Sequence, residues 1–304
     1  MGAGGYSNLV GPATFLKSKF FLGKCRIDRR TVQGVARKTA STDRRPSQCL
    51  QRRMRAPVSA CHRVCMSLRN STTPFMIRVF LGYDHREVVA YHVACHSIHV
   101  RSSAPVEIAP LMLSQLREVF TRERNPLQST DFSFTRFLVP YLCGYEGWAI
   151  FADCDILCLE DIARLWELRD ERYAVQCVHH DHRPQETTKF LGEKQTQYEK
   201  KNWSSVMLMN NAKCRALTPE YVNTRSGLEL HRFHWLGDDS LIGAIPAKWN
   251  HLVGYDPDLP ESELGILHFT EGGPYFPDYR GCSYAALWRR ELHAMLTPPQ
   301  PQEA

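Results

Sequence analysis

Asp153 and Asp155 stand one residue apart, directly after the apolar run Trp148-Ala-Ile-Phe-Ala152 and shortly before Leu159-Glu-Asp-Ile162. On an extended chain residues i and i+2 point to the same side. Both carboxylates can therefore reach one hard divalent cation, whose remaining positions phosphate oxygens and water would fill. The run Ala149–Ala152 is short and uncharged and reads as a buried strand. Carboxylates at the C-terminal end of such a strand sit where open α/β sheets bind their ligands. A solvated strand exit is the plain alternative, and the apolar flanks on both sides favour the metal.

The elements that must position this pair follow from the rest of the pattern. Met76–Leu81 is a β-branched and aromatic run closed by Gly82, and Glu87–Val100 carries apolar residues at helical spacing. Val106–Pro110 reads as a second strand, Leu111–Phe120 as a mixed amphipathic piece, and Arg122–Asp131 as a loop around Pro126. Phe134–Leu142 is apolar on one face and leads through Gly144 and Gly147 into the aspartate strand. Ile162–Leu168 is a short helix capped by Asp161. Tyr173–Val178 and Ser204–Met209 are further strands, ending in His179-His180-Asp181-His182 and Asn210-Asn211. Asp239–Ile245 reads as a helical turn or two, Ile266–Thr270 as a last strand and Ala285–Leu296 as a closing helix. Strands and helices alternate, so the expected class is α/β, one domain over residues 76–296 with a mainly parallel mixed sheet, and a frayed tail at 297–304.

The charge is unevenly spread. Residues 1–75 hold 15 of the 38 Lys and Arg and 2 of the 32 acids, which leaves residues 76–304 with 23 bases against 30 acids. The acidic body argues against nucleic acid as the main ligand. The Arg-rich segment 1–75 has few periodic apolar stretches and is expected to be disordered. It suits an organelle-targeting peptide, a basic arm for an anionic lipid surface or nucleic acid, or an extension upstream of a start at Met76. Of the eleven cysteines, Cys25, Cys49, Cys61 and Cys65 fall in that segment, and Cys61, His62 and Cys65 make a weak zinc pattern without a second pair. Cys154 and Cys158 flank the acidic pair on a chain that otherwise reads as cytoplasmic, with peripheral attachment to a membrane face through the basic arm as a variant. They are expected to be free thiols. No run approaches the roughly 18 to 20 apolar residues that span a bilayer.

Four stretches in this order resemble the nucleotide-sugar-dependent glycosyltransferases of the GT-A fold, and most closely the retaining family-eight type that includes bacterial lipopolysaccharide galactosyl- and glucosyltransferases. They are Met76–Asp84, Phe134-Thr-Arg-Phe-Leu138, Phe151–Ile162 with its F-x-D-x-D pattern, and Leu267-His-Phe-Thr270, together spanning about residues 76 to 290. The resemblance implies that Asp153, Asp155 and His268 bind Mn²⁺ or Mg²⁺. A histidine nitrogen beside two carboxylates suits Mn²⁺ somewhat better, and the sequel Gly272-Gly273 would let backbone N–H groups approach phosphate. It also implies a UDP-hexose donor, a glycan or glycolipid acceptor, and retention of the anomeric configuration. Gly82, Tyr83, Asp84, Arg136, Cys154, Gly272 and Gly273 would face the donor, with Tyr83 placed to stack on uracil. Trp203-Ser204-Ser205 and Asn210-Asn211 would lie where the acceptor is held, and Trp203 could stack on a pyranose.

Departures from the pattern accompany the match. A lysine expected a few residues after the histidine is absent, its neighbourhood holding Glu271 and Pro274, with Arg280 or Lys189 as substitutes. Gly237-Asp238-Asp239 supplies carboxylates where an amide or aspartate faces the sugar. Asp238 and Asp239 are therefore the candidate catalytic pair, with Asp239 expected to cap a helix over Ser240–Ile245 and Asp238 to contact the sugar. Both a carboxylate nucleophile and front-face attack with the leaving diphosphate as base remain open. The His179–His182 segment reads as a second metal site, a contact for sugar hydroxyls, or a solvated loop. A sugar-nucleotide pyrophosphorylase is the neighbouring alternative, disfavoured because Gly82–Glu87 holds one glycine and two acids where a Gly- and Lys-rich loop belongs. A non-catalytic nucleotide or nucleic-acid binder is the third.

Overall fold

A computed structural model of the chain describes residues 76–124, 128–181 and 199–297. The expectations for residues 1–75, for His182 and Lys189, and for most of the tail at 297–304 lie outside these described residues.

Strands β1 (Ile77–Gly82), β2 (Val106–Leu111), β3 (Trp148–Ala152), β4 (Ile156–Cys158), β5 (Val175–Cys177), β6 (Val206–Asn210), β7 (Ile242–Ala244), β8 (His251–Leu252) and β9 (Ile266–His268) form two sheets. The larger runs β2-β1-β3-β6-β5-β7. Its pairings are parallel except where β6 runs antiparallel between β3 and β5. The smaller runs β4-β9-β8. The helices are α1 (Val88–Arg101), α2 (Val139–Leu142), α3 (Ile162–Glu167), α4 (Pro219–Thr224), α5 (Gly227–His231) and α6 (Ala285–Leu296). This is the expected α/β class with a mainly parallel mixed sheet. The second sheet was not expected, because β4 and β8 are too short to show an alternating pattern.

The core lies between the sheets and helices. β3 and β6 are buried along almost their whole length, which fits uncharged central strands covered on both faces. Asp161 caps α3 as expected, its side chain accepting from the Ala163 amide. Across the molecule, Glu291 of α6 accepts from Arg101 and hydrogen-bonds His96 of α1, each at 2.6 Å. That brace ties the closing helix to the first one. No described helix is long and apolar enough to cross a membrane.

One element departs from its sequence reading. Asp239–Ile245 is not helical: a single 3-10 turn at Asp239–Leu241 gives way to β7, whose Ile242–Ala244 pairs with Val175–Cys177. A short apolar run is ambiguous by itself, and pairing with β5 decides it.

Candidate metal and donor site

Asp153 leaves the large sheet and Asp155 enters the small one, so the acidic pair spans the junction between them. The Asp153 amide donates to the Ser205 carbonyl at 2.9 Å, just before β6 begins. The Asp155 carbonyl accepts from the Phe269 amide at 2.9 Å, and the antiparallel β4–β9 register sets Ile156 opposite His268. Residues 113 positions apart thereby meet. His268 Nε2 lies 3.5 Å from Asp155 Oδ1 and 3.9 Å from Asp153 Oδ2, and one ligand atom from each of the three lies within 4.8 Å of the others.

The tautomer of His268 follows from its other nitrogen. Asn250 is fully buried; its amide nitrogen donates to Ser205 Oγ at 2.8 Å and to the Asn202 carbonyl at 3.3 Å. That orientation turns Asn250 Oδ1 toward His268 Nδ1 at 3.0 Å, so in the neutral ring Nδ1 carries the proton and Nε2 presents the lone pair. Two carboxylate oxygens and an imidazole lone pair thus face one point. A divalent cation relieves that repulsion, and N plus two O donors match Mn²⁺ or Mg²⁺. A ligand histidine fixed through its second nitrogen is the usual support for such a centre. The residues present fit a metal.

Arg136 is buried behind the pair. Its Nη1 lies 2.8 Å from Asp153 Oδ1 and donates to the Ser204 carbonyl at 2.8 Å, with the guanidinium over the Phe151 ring. It reaches the site through Asp153. Cys154 lies between the aspartates, and its side chain is wholly buried in the hydrophobic core. Burial, then the charges of Glu87 and Asp155, push its thiol well above the usual range. Only its main chain is placed to meet a ligand. The seven cysteines among the described residues are free thiols, as expected.

The first loop is built on a buried aspartate. Asp84 is fully buried and accepts from the Arg86 side chain, the Arg86 amide and the Asp131 amide. Burial alone would raise its carboxyl; these hydrogen bonds outweigh that and hold it below the usual range. Asp84, His85 and Asp131 form a second convergent group, but Arg86 and Arg124 each pair with one of its carboxylates at 2.6 Å. With its charge already balanced, that group suits a cation less well than the first. Tyr83 meets Tyr91 edge-to-face at 5.3 Å and lines a cavity of about 460 Å³ with His85, Met112, Phe120, Arg122 and Asp131. The cavity opens beyond the C-terminal ends of β1 and β2. Gly82 is required by packing, since a Cβ there would stand 2.5 Å from the Phe132 ring.

Glu87, which the sequence reading passed over, is fully buried at the start of α1. Tyr275 donates its hydroxyl to Glu87 Oε2 at 2.8 Å. Burial, then the charge of Asp155, hold the Glu87 carboxyl well above the usual range. This contact joins the first loop to the segment after His268. In that segment Gly273 is needed because a Cβ would come within 2.3 Å of the Tyr275 ring, and Gly272 takes a φ of 137°. Glu271 accepts a hydrogen bond from the Tyr255 hydroxyl, and Arg280 is exposed.

Several expected placements are corrected. Asp238, not Asp239, is the cap: its side chain accepts from the Ser240 amide at 2.8 Å. Asp239 is exposed and pairs with Lys200 at 2.5 Å. Both residues precede the N-terminal end of β7, which runs parallel to β5, whereas Asp153 follows the C-terminal end of β3; none of their hydrogen bonds reaches the metal group. Asn210-Asn211 ends β6 opposite Trp148, at the sheet edge away from Asp153, and Asn211 bonds the Glu146 carbonyl. Trp203 does not offer both faces, because His179 covers one of them. Among the described residues, His179, His180 and Asp181 belong to neither convergent group.

Comparison with known proteins agrees with the fold. No family model matches. Protein CDI of Arabidopsis thaliana is 48% identical over 235 residues, which cover 75% of this chain and 90% of that protein. The apo structure of the bifunctional glycosyltransferase WbbM superposes with a TM-score of 0.51 at 12% identity, covering 74% of this chain and 50% of that one. The chain thus spans half the length of WbbM. The apo glycosyltransferase GlyE of Streptococcus pneumoniae TIGR4 matches with a TM-score of 0.49 at 16% identity, over 73% of this chain and 62% of that one. At these identities the likeness to solved structures is one of fold.

Proposed function

The chain belongs to the same family as Protein CDI of Arabidopsis thaliana and has the GT-A glycosyltransferase fold, and from that premise we propose that it is a metal-dependent hexosyltransferase acting on a nucleotide sugar. The observation that carries this reading is the meeting of Asp153, Asp155 and His268 at one point, with the His268 Nε2 lone pair turned toward both carboxylates. A bound Mn²⁺ or Mg²⁺ would neutralise the charge that develops on the leaving diphosphate, a Lewis-acid contribution of several kcal/mol.

The chain's own groups then divide the remaining work. Asp153, Asp155 and His268 hold the cation, Asn250 keeps the His268 lone pair pointed inward, and Arg136 fixes Asp153. The cavity beside Tyr83 would take the nucleobase, with the Asp84–Arg86 pair holding its loop. Gly272-Gly273 offers the close main-chain approach that a diphosphate needs. UDP-hexose as donor, a glycan or glycolipid as acceptor, and retention are carried over from the family-eight resemblance. Asp238 and Asp239 keep a catalytic role in this proposal only if the cap and the Lys200 pair are given up on substrate binding.

The test is to incubate the full chain with a panel of nucleotide sugars and to measure released UDP or GDP with Mn²⁺ and with EDTA. Donor hydrolysis or transfer that needs the cation is the expected result. Cation-independent release, or none with any donor, defeats the reading.

A further inference from the structure

His179 lies flat on Trp203, ring centroids 4.0 Å apart and planes 4° apart, and its outer face is exposed. Trp203 donates its indole N–H to the His180 carbonyl at 2.8 Å, which ties the indole to the residue next to His179. Burial of its inner side lowers the His179 pKa, so the ring is neutral near pH 7.

Strand register fixes where this platform stands. Phe151 of β3 and Cys177 of β5 both pair with Met207 of the intervening β6. Asp153 and His179 each lie two residues beyond that common row, at the same edge of the sheet and two strands apart. Two strand spacings set their backbones roughly 10 Å apart. A phosphate held beside Asp153 and one sugar ring attached to it would extend along that edge to the exposed imidazole.

Resting on the hexosyltransferase reading, we propose that the outer face of His179, backed by Trp203, is a stacking platform for a pyranose ring. One face of a pyranose presents C–H groups, which match a flat, neutral aromatic surface. A platform whose two rings are already stacked in the free protein loses little freedom when the sugar arrives. The ring is that of the donor hexose or of the acceptor sugar, which share this chemistry.

The experiment uses the full chain with Mn²⁺, as wild type, His179→Ala and His179→Phe. Calorimetry measures UDP and whichever of UDP-glucose, UDP-galactose and UDP-N-acetylglucosamine the wild type hydrolyses fastest; transfer to lactose and cellobiose is followed by the UDP release they add. UDP lacks the hexose ring, so its affinity should stay within about twofold in all three proteins. His179→Ala should weaken the nucleotide sugar if the ring is the donor's, or raise the acceptor KM if it is the acceptor's, by about three- to tenfold. His179→Phe should recover most of that loss. Equal weakening of UDP and UDP-sugar would mean local collapse and overturns the platform, as do unchanged values throughout. A wild type that binds no nucleotide sugar defeats the proposed function and this inference together; an active wild type with neutral His179 variants defeats the inference alone.

Discussion

Arg136 and Asp153 form a buried ion pair, Nη1 to Oδ1 2.8 Å, that leaves Asp153 Oδ2 directed at His268. One carboxylate is thus divided between a fixed guanidinium and the metal point.

Removing Arg136 should destabilise the protein in a metal-dependent way. Breaking a buried pair on one side costs about 3–5 kcal/mol because it strands the other charge. Arg136→Met should therefore lower the melting temperature strongly in EDTA and less in Mn²⁺, where a cation beside Asp153 supplies compensating charge. Equal losses under both conditions would show that Asp153 does not hold a metal.

Asp155→Asn should reduce turnover more than a hundredfold, since a metal contact worth several kcal/mol is lost. Without metal, the same change removes one of the facing acceptors. Its melting temperature in EDTA should not fall, and the Mn²⁺-induced rise seen in the wild type should vanish. Retention of a tenth of the activity would refute the metal assignment.

Asn250 makes no contact that a sequence motif would flag, yet it sets which nitrogen of His268 is free. Asn250→Ala should weaken Mn²⁺ binding by about 10- to 100-fold, the usual loss for an outer-layer partner. Electron paramagnetic resonance of free Mn²⁺ measures this without turnover.

His231 predicts a pH dependence of stability. It bonds Ser204 Oγ at 2.8 Å and meets Phe137 edge-to-face. Burial, then the charge of Arg136, lowers its pKa well below the ordinary 6.5. The unfolded chain takes up a proton here that the native state refuses, so stability is fully present above pH 6.5 and declines as the pH falls below it. His231→Phe should flatten the melting-temperature profile between pH 6.5 and the acid transition; an unchanged slope would place the titration elsewhere.

The cap assignment separates Asp238 from Asp239. Asp238→Ala should lower the melting temperature by loss of the bond to the Ser240 amide. Asp239→Ala gives up an exposed contact with Lys200 and should leave it nearly unchanged. The reverse order would restore Asp239 as the cap.

The sequence by itself determined what depends on neighbours along the chain. Asp153 and Asp155 after Ala149–Ala152, the strand at Ile77–Gly82, the helix from Val88 and the Asp161 cap all follow from spacing of two or about four residues and from local hydrogen bonding. His268 was legible only through resemblance to a family pattern, since a histidine on a short apolar run carries no local signal. Tertiary structure decided the contacts that join distant segments: the tautomer set by Asn250, the Arg136–Asp153 pair, the burial of Glu87 against Tyr275, and the covering of Trp203 by His179. It also decided Ile242–Ala244, whose three residues are apolar enough for helix or strand until Val175–Cys177 supplies a ladder. Strands of two or three residues have no periodicity to read, and which side chain fills a given space is set by partners tens of residues away.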